Sequence, residues 1–249
     1  MKKNYTAILA IDSSDTPLRI AALCDGGRIR SASSAQLKQE NHVVALANRL
    51  LAKDGKKLSD VNRVFVLRGP GRFTGIRIGL TVASVLGELN GAEMAAATVL
   101  ETLAAQTAKT TGFANWKAKN ASGLLAAITY AFREEFFCQI FKTGKDGSLS
   151  AEQEPRWLSS EELKKYLAAL KKPVYCAGWG AQRAALAPWL PENCAAAPGS
   201  EKGILPATLV EMAIAAKPLK SAPAPLYLKP ARYELEAARK KAAAKKNAR

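Results

Sequence analysis

The run Gly69-Pro70-Gly71-Arg72-Phe73-Thr74-Gly75-Ile76-Arg77-Ile78-Gly79 constrains the fold more than any other stretch of this chain. The apolar run Val64–Leu67 precedes it, and an Ala/Leu/Val-rich segment ending at Asn90-Gly91 follows it. The order is therefore strand, tight glycine turn, helix. Thr74 is the expected N-cap, and the free N–H groups of the first helical turn suit an anion or an acidic partner. Beyond the turn, Gly75, Gly79, Ala83 and Gly87 recur every four residues and form one stripe of small side chains. Each interior Gly costs about 1 kcal/mol relative to Ala. The segment gives up helical stability for close approach of another backbone, either the chain's own sheet or a second helix.

Elements before and after this unit alternate. Residues 7–12 and 18–23 read as strands, 28–34 as a third, 41–52 as a helix that Asn41 begins, 63–67 as a strand, 74–90 as a helix and 93–97 as a strand. Thr98 then caps a helix over 99–107. The polar segment 109–122 is the expected linker between a first domain, 1–108, and a smaller second domain, 123–232. In the second half, 123–130 and 135–142 read as a strand pair, 160–170 as a helix, 173–177 as a strand and 205–217 as a helix. The second half loosely repeats the order of the first. The expectation is two α/β domains, each a mixed sheet flanked by helices, with a ligand-sized cleft between them.

Charge and residue counts narrow the chemistry. The chain has 249 residues, enough for a real core, and carries 37 basic against 21 acidic residues for a net charge of +16. Its tail, 233–249, holds six basic and two acidic residues from Glu234 onward, with no aromatic residue among them. Such a tail attracts polyanions with salt-sensitive affinity but lacks the rings of a single-strand binder. Four scattered cysteines (Cys24, Cys138, Cys176, Cys194) form no metal-type pair and read as reduced thiols. With His42 the only histidine, a two-histidine metal site is excluded, and so is a peptidase built on one. No apolar run reaches the roughly 20 residues of a membrane span. Asp12 ends the first apolar run too early for a secretory signal, so a cytoplasmic protein is expected.

Several of these features carry a family resemblance. The strand ending Ile11-Asp12-Ser13-Ser14, the helix start Glu40-Asn41-His42, the Gly69–Gly79 run, Ala177-Gly178-Trp179-Gly180 and Pro225-Leu226-Tyr227-Leu228-Lys229-Pro230 resemble the bacterial tRNA threonylcarbamoyladenosine biosynthesis family TsaB (YeaZ). That family is part of the glycoprotease-like branch of the actin/Hsp70/sugar-kinase superfamily. The resemblance covers 5–107 well and 123–232 loosely. Arg72 stands where the family has serine, Ser13 where it has threonine and Val43 where serine often follows the histidine. Thr129-Tyr130-Ala131-Phe132-Arg133 lacks the family's aspartate.

The resemblance implies two actin-like (ribonuclease H-like) domains and a non-catalytic subunit of the complex that modifies adenosine 37 of tRNA. Its partners would be the metal-containing catalytic paralogue TsaD, a TsaE-type ATPase and tRNA, with a homodimer when the chain is alone. The chain by itself binds no cofactor in this reading, while ATP or ADP is allowed at the interface of the complex. The partner surface is expected on His42, Leu46, Arg49, Gly75, Ile76, Gly79, Ala83 and Gly87. The alternative is an autonomous phosphotransferase or ATPase, with phosphates held by Asp12, Ser13, Ser14, Gly69, Gly71 and Thr74.

Overall fold

The N-terminal apolar run forms β1 (Ala7–Asp12), which lies at the centre of a five-stranded sheet with β2 (Leu18–Cys24), β3 (Arg30–Ser34), β4 (Arg63–Leu67) and β5 (Glu93–Ala97). The computed structural model describes residues 5–36, 38–144 and 147–229, so the basic tail lies outside the described residues. The strand order is β3-β2-β1-β4-β5. β1–β2 and β2–β3 are antiparallel, and β1–β4 and β4–β5 are parallel. A second sheet is built from β6 (Leu124–Phe132), β7 (Glu135–Thr143), β8 (Leu149–Ala151), β9 (Arg156–Ser159), β10 (Val174–Trp179) and β11 (Cys194–Ala196). Its order is β11-β10-β6-β7-β8, with β9 also paired to β7. β6–β7 is antiparallel, while β6–β10 and β10–β11 are parallel. The two sheets thus share one topology, as the loosely repeated order of elements in the two halves leads one to expect.

Six α-helices among the described residues flank the sheets: α1 (Val43–Ala52), α2 (Phe73–Asn90), α3 (Val99–Ala108), α4 (Thr111–Lys119), α5 (Ser160–Ala169) and α6 (Pro206–Ala215). Helices α1 and α2 cover one face of the first sheet, meeting Leu9, Ile11, Val64 and Val66. The intervening residues Ile8, Ala10, Phe65 and Leu67 point the other way, into a core shared with α3, α6 and the second sheet. The same alternation splits β6. Leu125 and Ala127 enter the shared core, while Leu124, Ala126 and Ile128 pack beneath α5. Burial on both faces explains why these strands read as continuous apolar runs.

Each half lends a helix across the middle layer. α3, from the first half, packs on β6, β7 and β10, while α6, from the second, packs on β1, β2 and β4. Arg63 fixes the latter arrangement. Its guanidinium is fully buried, donates to the carbonyl oxygens of Ala213 and Ala216 at the end of α6, and pairs with Glu93 at 3.1 Å.

Several local expectations shift. The segment 109–122 contains helix α4, capped by the Thr110 hydroxyl on Phe113 N–H, where a linker was expected. α2 starts at Phe73, because the extended Arg72 donates its N–H to Ser14 O at 2.7 Å and the chain turns helical directly after it. Thr74 is accordingly inside the first turn and is no cap. α1 starts at Val43 after a 3-10 turn over Gln39–Asn41, so Asn41 is no cap either. The Thr98 cap holds as read: its hydroxyl accepts from Glu101 N–H and Glu101 returns the bond to Thr98 N–H. The four cysteines are free thiols, and no helix among the described residues is long and apolar enough to cross a membrane.

Candidate functional site

The glycine turn and the end of β1 meet as the sequence suggests, but they close on each other. A side chain at Gly71 would overlap the carbonyl oxygen of Ser14, and one at Gly75 would overlap that of Ser13. Gly69 has φ +109°, open to glycine alone, and a Cβ there would lie 2.6 Å from Leu226 O. Asp12 is buried; it accepts from the Ser14 hydroxyl at 2.6 Å and from Ser14 N–H, and pairs with Arg19 at 3.1 Å. Ser13 is wholly buried against α2. Asp12, Ser13, Ser14, Gly69 and Gly71 are therefore together in space, yet Asp12 is taken by Ser14 and Arg19 and the buried Ser13 hydroxyl has no partner among the described residues. A phosphate cradle needs donors that reach solvent. Thr74 is exposed beside this contact.

The small-residue stripe faces inward. Gly75, Ile76, Gly79 and Ala83 are buried, and Gly87 packs on the Met94 side chain. Leu46 on α1 is buried as well. These residues fasten helices to the chain's own sheet, which corrects the expectation that they form an open partner surface. His42 is half-buried, and Arg49 reaches solvent. What α2 turns outward is a second stripe at the same four-residue spacing: Phe73, Arg77, Thr81, Val85 and Leu89, all exposed. Leu89 is 77% exposed, Val85 47% and, on neighbouring α1, Val44 45%. The four-residue recurrence of this set is visible in the sequence, but the glycines drew the reading to the opposite face.

Between the halves lies a cleft of about 1090 Å³. The β1–β2 loop, the glycine turn, the start of α2, the end of β6, Trp179 and the extended segment 226–229 form its walls. That segment is tied across the glycine turn by Leu226 N–H donating to Arg68 O at 2.7 Å. Phe73 and Tyr227 pack ring on ring at 4.8 Å, and the Arg77 guanidinium lies 4.3 Å from the Phe73 ring centre. Lys229 sits 5.4 Å from the centre of Phe132 and 5.2 Å from that of Trp157. Asp15 is the single carboxylate among the described lining residues, and Arg183 holds it at 2.9 Å. Burial and the nearby Arg19 lower the affinity of the Arg183 guanidinium for its proton.

Among the described residues, no group of three His, Cys, Asp or Glu side chains could hold a metal ion. Burial pushes the Cys138 thiol up, and the bond to Cys194 with burial does the same for Cys176, so neither is poised as a thiolate.

Comparison with known proteins fits this architecture. A family model described as TsaD, tRNA N6-adenosine threonylcarbamoyltransferase, matches residues 33–119. The tRNA threonylcarbamoyladenosine biosynthesis protein TsaB of Escherichia coli is 26% identical over 175 residues, 70% of this chain and 72% of that one. TsaB of Bacillus subtilis is 31% identical over 137 residues, 54% of this chain and 55% of that one. In fold, YeaZ from Pseudomonas aeruginosa aligns with a TM-score of 0.63 at 23% identity, over 90% of this chain and 100% of that one. A further Pseudomonas aeruginosa structure, described as similar to the peptidase YeaZ, gives 0.67 at 22% with the same coverage. Sequence relatives and fold agree in what this chain is similar to, the TsaB (YeaZ) proteins.

Proposed function

We propose that this chain is a non-catalytic subunit in bacterial tRNA threonylcarbamoyladenosine biosynthesis, acting in the cytoplasm by holding a TsaD-type catalytic paralogue. The names of its sequence relatives support the pathway. The observation that carries the partner role is the outward face of α1 and α2, where Val44, Val85 and Leu89 are exposed while the opposite faces of both helices are buried against the sheet. An apolar helical face of this kind gains by meeting another helix pair. His42, directly before α1, and Arg49 on α1 would supply the polar contacts of that interface. In the absence of the catalytic protein, the face would pair two copies of this chain. A TsaE-type ATPase would join the assembled pair, with ATP or ADP at the interface of the complex.

The alternative of an autonomous kinase finds less support. Asp12 is neutralised by Arg19, and Ser13 and Ser14 are buried where such an enzyme needs an open phosphate loop.

The test is threonylcarbamoylation of tRNA by purified components of one organism, with and without this chain. Product formed only in its presence, with no ATP turnover by the chain alone, is the expected result. Equal product without it would overturn the reading.

A further inference from the structure

The mouth of the cleft gathers rings and cations that lie far apart in the sequence. Phe73 opens α2, Phe132 ends β6 and Tyr227 lies on the segment crossing the glycine turn, and they are 52%, 56% and 41% exposed. Exposed rings of this size at the rim of a cavity are uncommon unless something covers them. Two of them have a cation beside the ring. Arg77 lies over Phe73, and Arg133 and Lys229 over Phe132. Arg72, next to Phe73, is exposed, and its guanidinium donates to the Thr16 hydroxyl.

Charge at the mouth is one-sided. Among the described residues, no carboxylate pairs with Arg72, Arg77 or Arg133. The nearby carboxylates are engaged: Asp15 by Arg183, and Glu135 by Lys229 and the Trp157 indole. Glu134 sits in the β6–β7 turn beside Arg133 and is exposed.

We infer that this mouth binds a segment of single-stranded RNA, with bases stacked on Phe132 and against the Phe73–Tyr227 ring pair, and the backbone phosphates neutralised by Arg72, Arg77 and Arg133. Flat rings interleaved with guanidinium groups are the combination that single-strand binders use, since every base offers a face to stack and every linkage a charge. The spread of cations over both halves fits a chain of phosphates. The cavity is also at the upper end of the range for a compact small ligand. A lone nucleotide held in the phosphate-loop manner has no open cradle here, because Ser13 is wholly buried and the Ser14 hydroxyl is taken by Asp12. This goes beyond the partner role: it gives the chain a direct contact with RNA, and it is tested on the chain without any partner.

The experiment is fluorescence anisotropy of the full-length protein with a labelled, unstructured RNA of about ten nucleotides, within the footprint of single-strand binding folds. Titrations run across a salt series. Phe132→Ala is expected to weaken binding about tenfold at every salt concentration. Arg72→Ala is expected to weaken it and to reduce the slope of log affinity against log salt by about 0.7, the loss of one phosphate contact. ATP is expected not to displace the RNA. Wild-type affinity in both variants would place the RNA on the basic tail and overturn the inference. Displacement by ATP would make the mouth a mononucleotide pocket and overturn it equally. Circular dichroism confirms that both variants fold, since each changes an exposed side chain.

Discussion

Gly79 rests on Ser13: any side chain at Gly79 would overlap the Ser13 hydroxyl, and Val66 crowds the same point from the neighbouring strand. The absence of a side chain at this one position lets α2 lie directly on the end of β1. That contact in turn sets where the glycine turn, and with it one wall of the cleft, can be.

Gly79→Leu is therefore expected to damage the fold itself. Overpacking of a close helix–sheet contact costs about 1–3 kcal/mol for a small group and more for a large one. Denaturant unfolding should show a loss of at least that size for Leu and a smaller loss for Ala. A Gly79→Leu protein of normal stability that fails only to bind its partner would return the small-residue stripe to the surface.

Arg63 is expected to be the strongest single tie between the halves. Replacing it with Met keeps the bulk but strips the carbonyls of Ala213 and Ala216 of their donor inside the protein. The loss of charge-assisted bonds at a buried site is worth about 3 kcal/mol. Hydrogen exchange should show α6 opening before the first sheet. A variant in which α6 stays as protected as β1 would contradict this.

The start of α5 should respond to acid. Glu162 accepts from Ser159 N–H at 2.7 Å and from the Ser159 hydroxyl, and those bonds hold its carboxyl below the usual carboxylate range. Glu161 is lowered in the same way by Lys165, one turn on. A depressed pKa in the folded state means stability that is full above the ordinary carboxylate range and lost as pH falls through the lower folded value. NMR titration should show α5 fraying at its N-terminus in that acid window. Glu162→Gln should already be frayed at neutral pH and should lose its share of the pH response.

How much of this was legible depended on whether the deciding contact was local. Thr98 and Glu101 cap α3 within one turn, so the sequence carries both partners of the bond. The β1 and β4 runs are apolar on both faces because both faces are covered, and that too is written in consecutive residues. The side that Gly79 and Ala83 face is not local, since a period of four residues reveals a stripe without naming its neighbour. α6 was readable as a helix from its own residues, but its place on the first sheet is set by Arg63, some 150 positions away. The cleft mouth was hidden for the same reason. Phe73, Phe132 and Tyr227 come to one mouth only after both sheets have formed. Strands β8, β9 and β11 are three or four residues long and owe their pairing to β7 and β10, which leaves them no periodicity of their own.

The outward stripe of α2 is the surface on which the proposed catalytic partner would dock. The most direct measurement is calorimetric titration of the Val85→Glu, Leu89→Glu double variant into the purified TsaD-type protein of the same organism, beside wild type. Charges at the centre of an apolar helical interface should weaken binding on the order of 100-fold. Both sites are exposed, so the melting temperature should stay within the small range of surface substitutions. Wild-type affinity in the double variant would contradict the account and move the interface to another face.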